Sequence, residues 1–181
     1  MQTQTKSHRA ILNLVYAAVC LALCILLPFL TGQIPEVGSM LCPMHSPVLL
    51  AGFLCGPWWA MGVGFVAPAL RYLLFGMPPL LPVGAPMMAE LLVYGLVVGL
   101  LYRRLTGKTG RVYASLIGGM LAGRVVWGIA ALIVYGAANK PFTWTAFLAG
   151  AVVNAVPGII LHIILIPVIV FTLQKAKIIA P

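Results

Sequence analysis

The sequence predicts an all-α integral membrane protein with six transmembrane helices and both termini cytoplasmic. Three observations lead there. Of the 181 residues, 62% are hydrophobic and only 7% charged, with a mean hydropathy of +1.10; soluble domains carry roughly 25% charged residues. Apolar runs occupy about 10–30, 47–75, 86–102, 112–138 and 142–173, nearly the whole chain. Eight of the eleven Lys and Arg gather in three places: Lys6 and Arg9; Arg103, Arg104, Lys108 and Arg111; Lys175 and Lys177. Cytoplasmic loops collect such residues, so the net charge of +9 sets topology and does not point to nucleic acid. One membrane domain, residues 1–181, is expected.

The helices follow in order. Lys6 and Arg9 precede an apolar stretch of about 20 residues, enough to cross a ~30 Å hydrocarbon core. No small-x-small cleavage site follows, so residues 9–30 read as a transmembrane helix and not a signal peptide. With 1–9 and 103–111 both inside, an even number of spans separates them. The 47–75 run must therefore supply two, and "CGPWW" contains the break, with Gly56 ending one helix and Pro57 starting the next. That gives short helices at about 44–56 and 58–75, then helices at 86–104, 112–138 and 142–173.

The outward connections are expected at 31–45, 76–85 and 139–141. The first two are proline- and glycine-rich and nearly uncharged. Non-helical backbone at membrane depth is tolerated where it packs on protein or lines a cavity, so these loops read as lids.

The stretch "MLCPMHSP" places Met40, Cys42, Met44 and His45 close together, residue types that suit soft metals. No second Cys-x-x-Cys or Met-rich cluster accompanies it, and haem attachment needs Cys-x-x-Cys-His, so no metal is expected. The blander reading is a lid-to-helix junction with Ser46 as N-cap and Pro47 at the first helical position. From there His45 can touch a ligand. The four cysteines show no paired framework.

Ionisable residues inside spans are expensive and usually functional. Glu36 and Glu90 are the only acids. Glu36 falls in the first outer loop, where solvation alone accounts for it. Glu90 opens the fourth helix, with Tyr94 at i+4 on the same face. Arg124 lies near the bilayer midplane in the fifth helix, too deep to snorkel, with Trp127 at i+3. Asn154, in "GAVVNAVPG", is at similar depth. Two compatible readings stay open: Arg124, Tyr94, Trp127, Asn154 and Glu90 line a ligand cavity, or Arg124 and Glu90 form a structural ion pair. Arg71 either snorkels to headgroups or reaches the cavity. His162 reads as a packed or interfacial histidine near the cytoplasmic end of the last helix. Trp58, Trp59 and Trp144 fit interfacial belts. Ala10, Ala17, Ala18 and Ala22, and Gly62, Gly64, Ala67 and Ala69, form small-residue stripes that either tighten the bundle or face a partner. No Walker motif, nucleophile–base set or pair of acids is present, so neither catalysis nor a cofactor is expected.

Six helices in about 180 residues, Ala18-x-x-x-Ala22 in the first of them, and the block "GSMLCPMHSPVLLAGFLCGPWWAMGVGFVAPALRYLLFGMPPL" resemble the substrate-binding S component of energy-coupling factor (ECF) transporters. "MLAGRVVWG" and "FLAGAVVNAVPGIILHIILIPVIV" extend the likeness over most of the chain. The resemblance implies a multi-pass protein of the bacterial plasma membrane that captures a small water-soluble vitamin beneath the 31–45 loop. It implies docking, through Ala18 and Ala22, on a transmembrane coupling subunit driven by two cytoplasmic ATPases. By location, His45, Glu90, Tyr94, Arg124, Trp127 and Asn154 are the implied ligand contacts. Arg124 suits an acid such as pantothenate, whereas Glu90 and His45 suit a vitamin B6 form. The rival is a self-sufficient carrier using Glu90 for proton coupling; a further one is a metal-handling or enzymatic site around Cys42 and His45.

Overall fold

The structure, a computed structural model, describes residues 6–30, 40–138, 143 and 155–179. Its long elements are helices Lys6–Leu30 (α1), His45–Leu54 (α2), Pro57–Phe75 (α3), Ala85–Arg104 (α4), Thr109–Ala137 (α5) and Val156–Lys175 (α6). A wide irregular turn, Leu80–Gly84, leads into α4. Among the described residues there is no strand. The all-α membrane class is therefore as expected: α1, α3, α4 with its lead-in turn, α5 and α6 are each long and apolar enough to cross a membrane.

Helix α2 is different. Its ten residues rise only about 15 Å, half a hydrocarbon core. Its start also departs from the sequence reading. Cys42 takes a left-handed conformation (φ 47°), and the His45 N–H donates to its carbonyl at 2.9 Å. That turn starts the helix at His45, so Ser46 lies inside it, buried, and makes no cap. The non-helical backbone before α2 is covered by protein, since Cys42 and Met44 are buried, as unsatisfied backbone at this depth requires. Between α2 and α3 the chain turns at Gly56, whose φ of 83° suits glycine and whose missing Cβ leaves room for the Arg103 guanidinium. Pro57 then opens α3, as "CGPWW" suggests. Gly76, left-handed, closes α3 by donating its N–H to the Tyr72 carbonyl at 2.7 Å.

Helix α4 is the centre, packed on α2, α3 and α5. Glycines let it approach α3 closely: Gly64 sits on the Leu91 carbonyl, Gly95 on the Ala60 carbonyl, and Gly99 on Pro57. This is the small-residue packing that replaces hydrophobic driving force in lipid. The predicted stripe on α3 thus divides, because Gly64 and Ala67 are buried in the bundle while Gly62 faces open space.

Helix α1 joins the bundle along a narrow stripe, Ala17, Cys20, Cys24 and Pro28, at helical spacing. Arg71 of α3 fastens its far end. Only 4% exposed, Arg71 donates from Nη1 to the Ile25 carbonyl at 2.7 Å and lies 5.3 and 5.5 Å from the Phe29 and Phe75 rings. It neither snorkels nor joins the Glu90 cluster, because the Ile25 carbonyl of α1 accepts from its guanidinium and the Phe29 and Phe75 rings flank it. At the C-terminal end of α4, the Tyr102 hydroxyl accepts from Arg111 at 3.1 Å and Gln174 at 2.8 Å, tying α5 and α6 to α4.

Gly95→Leu should destabilise the protein by about 1–3 kcal/mol or prevent folding by forcing α3 and α4 apart. Gly62→Leu should change stability far less. Thermal unfolding in detergent distinguishes the two.

Candidate functional site

Glu90 is the sixth residue of α4 and only 2% exposed. A buried carboxylate needs charge partners and hydrogen bonds, and several elements converge to supply them. Arg124, midway along the 29-residue α5, places Nη1 3.1 Å from Glu90 Oε1. His45, the first residue of α2, places Nε2 3.5 Å from Oε2. Tyr94, one turn beyond Glu90, brings its hydroxyl within hydrogen-bonding reach of the same carboxylate. The Tyr94 ring meets the His45 imidazole edge to face, with centroids 5.5 Å apart.

Two further groups complete the cluster. Arg124 Nη2 points at the Cys42 sulfur, 3.9 Å away. His162 of α6 stacks on His45, centroids 6.4 Å apart and planes 23° from parallel, and hydrogen-bonds the Cys42 backbone carbonyl. Small residues make these approaches possible. Gly123 receives the Tyr94 ring and Gly119 the Val98 side chain, bringing α5 onto α4. Gly158 lies against the Met40 and Leu41 carbonyls, seating α6 on the segment that precedes α2.

The cluster is charge-paired but incompletely hydrogen-bonded. Among the described residues, His45 Nδ1 and Nε2, Glu90 Oε1, Arg124 Nε and His162 Nε2 are buried and meet no hydrogen-bond partner. The Arg124–Glu90 contact is thus an ion pair by distance, without hydrogen-bond alignment through Oε1. Buried polar atoms are normally satisfied, so such a concentration around one carboxylate sets this cluster apart from the rest of the described core.

Of the residues singled out in the sequence, the structure brings His45, Glu90, Tyr94 and Arg124 together. Trp127 is half-buried one turn beyond Arg124. Asn154, Glu36, Trp144 and residues 31–39 of the first outer loop lie outside the described residues. Ala18 and Ala22 are exposed on α1, opposite its buried stripe. His162 was placed wrongly by the sequence reading. Counting from a helix start at 142 puts it near the far end, whereas α6 begins at Val156 with Pro157 in its first turn, which puts His162 in the second turn. The "VPG" of 156–158 was the available signal, since proline favours a first turn. Cys42 was weighed as a metal ligand and instead faces Arg124. Among the described residues no three His, Cys, Asp or Glu groups are arranged to hold a metal ion. A separate cleft of about 410 Å³, lined by Leu81, Pro82, Ile133, Val134, Ala137 and Ala138, offers no charged or polar side chain.

A family model described as ECF transporter, substrate-specific component, matches residues 12–170. No curated protein and no solved structure matches the chain.

Removing one member of a buried ion pair strands the other. Glu90→Leu should therefore cost about 3 kcal/mol or more, and the double variant Glu90→Leu/Arg124→Met should recover most of that loss. Unfolding midpoints in mixed detergent titrations test the pairing; equal losses in single and double variants would show that Arg124 does not depend on Glu90.

Proposed function

The chain belongs to the substrate-specific component family of ECF transporters, and from that membership we propose that the Glu90 cluster holds a small water-soluble vitamin for uptake. The observation supporting a ligand there is the group of buried polar atoms on His45, Arg124 and His162 that meet no hydrogen-bond partner among the described residues. A cation, an anion, two imidazoles and a phenol suit a compact polar molecule bearing a carboxylate or a nitrogen ring. Pantothenate and a vitamin B6 form are the two ligands we favour. Arg124 supplies a charge-assisted donor for the first, and Glu90 with His45 supplies acceptors and donors for the ring and hydroxyls of the second. Trp127 and Asn154 are included in the proposed site by their positions in the sequence.

The remaining steps belong to partners. The sequence contains no Walker motif, so energy comes from a transmembrane coupling subunit and two cytoplasmic ATPases. The exposed Ala18 and Ala22 on α1 give a flat surface on which another helix can pack closely, and we assign docking to them. Binding and docking then lie on different surfaces, as a subunit that captures first and transfers later requires. The membrane is the bacterial plasma membrane in this reading.

Reconstitution of the purified chain alone in liposomes tests the assignment. Binding of labelled vitamin without accumulation is expected; accumulation driven by a pH gradient would replace this reading with a self-sufficient proton-coupled carrier built on Glu90.

Arg124→Ala should weaken binding by roughly 100-fold, the scale of truncating one member of a buried charge pair. Arg71→Ala, which loosens α1 at a distance from the cluster, should change affinity by less than about 5-fold. Isothermal titration on monodisperse protein reads both. Ala18→Leu and Ala22→Leu should leave binding intact and abolish uptake by the assembled transporter; normal co-purification with the coupling subunit in both variants would remove the docking role.

A further inference from the structure

His162 carries more chemical information than its burial suggests. It is 3% exposed, and its ring is held from two sides. One face stacks on His45, and one nitrogen hydrogen-bonds the Cys42 backbone carbonyl. The nitrogen left without a partner is Nε2, so the bonded one is Nδ1. A backbone carbonyl only accepts, so Nδ1 must carry the proton. The hydrogen bond made by one ring nitrogen fixes the state of the other. In the neutral imidazole, Nε2 therefore presents a lone pair. Among the described residues it has no donor to accept from.

The groups facing His162 are the His45 ring and, beyond it, Arg124 and Glu90, and the carboxylate is already engaged by Arg124 and His45. The unpartnered Arg124 Nε–H is a donor. The cluster thus offers at least one vacant acceptor, on α6, and one vacant donor, on α5.

We propose that His162 is a specificity-determining residue of the ligand site, its Nε2 selecting ligands that present a hydroxyl or N–H donor alongside an acceptor for Arg124. This deepens the reading above and rests on it, since it presumes that the Glu90 cluster is where the ligand binds. It narrows the ligand class: a simple carboxylate cannot satisfy His162, whereas a hydroxylated acid or a hydroxylated nitrogen ring can. A site built to bond a donor discriminates strongly against the analogue that lacks it, because the buried acceptor is then left unpaired.

The test is equilibrium binding to the purified full-length chain. The probes are labelled pantothenate and labelled pyridoxine, each compared with an analogue whose hydroxyls are replaced by hydrogen. His162→Phe keeps a stacked ring and removes the acceptor, whereas His162→Gln restores a carbonyl oxygen near the position of Nε2. For whichever probe binds, His162→Phe should lose about 30-fold in affinity and His162→Gln less than about 5-fold. The dehydroxylated analogue should bind wild type weakly, with no further loss in His162→Phe. Unchanged affinity in His162→Phe overturns the proposal and leaves the site reading standing. So does an equal loss for probe and analogue, which is what a purely structural histidine gives. If His162→Phe fails to fold, His162→Leu, which also lacks an acceptor, takes its place in the same comparison of probe and analogue, with the same expected and overturning results. Failure of the wild-type chain to bind either probe overturns the underlying reading, and this inference with it.

Discussion

The pairing of Glu90 with Arg124 is the constraint from which much of the architecture follows. In lipid, an unpaired guanidinium at mid-helix or a buried carboxylate is costly, so α4 and α5 must lie in the register that brings the two together at 3.1 Å. That register demands close helix approach, and Gly119 and Gly123 on α5 provide it where Val98 and Tyr94 of α4 press against them. The same economy of size recurs on the other flank of α4, where Gly64, Gly95 and Gly99 admit α3. Nearly every glycine buried in the bundle serves a contact with α4 or holds the chain leading to α2.

The short α2 has a physical use in this light. A full-length helix would carry its N-terminal residues past the level of Glu90. A ten-residue helix, preceded by a buried turn at Cys42, starts beside Glu90 and so delivers His45 at 3.5 Å from it. The irregular backbone is tolerated because protein surrounds it. Its Cys42 carbonyl is not idle either, since it both receives the His45 N–H and orients His162. One turn of non-helical chain therefore positions two imidazoles and meets the Arg124 guanidinium.

Attachment of α1 is of another kind. Cys24 donates to the Met44 carbonyl at 3.5 Å, and Arg71 reaches the Ile25 carbonyl; both contacts lie on the narrow buried stripe. The opposite face, with Val15, Ala18, Val19, Ala22 and Leu26, is exposed. A helix held by one stripe keeps its other side for lipid or for a partner helix.

The sequence by itself determined the all-α membrane class and offered the pairing of Arg124 with Glu90 as one of two readings, the one whose geometry the structure contains. These are properties of composition and of one-dimensional spacing: apolar runs have a length that lipid reads directly, and a lone acid and a lone arginine in adjacent spans have few other partners to choose. "CGPWW" likewise announced the break between α2 and α3, because glycine and proline act locally. What only the tertiary structure decided was depth and register between elements. His162 looked peripheral because a continuous apolar run outweighed the local signal of Pro157, and moving the helix start from 142 to 156 shifts the residue by about 21 Å at 1.5 Å per residue. Arg71 found a backbone carbonyl on α1, and Cys42 found Arg124, across 46 and 82 residues of chain. No local pattern encodes such contacts; they exist because packed helices bring distant residues to the same height.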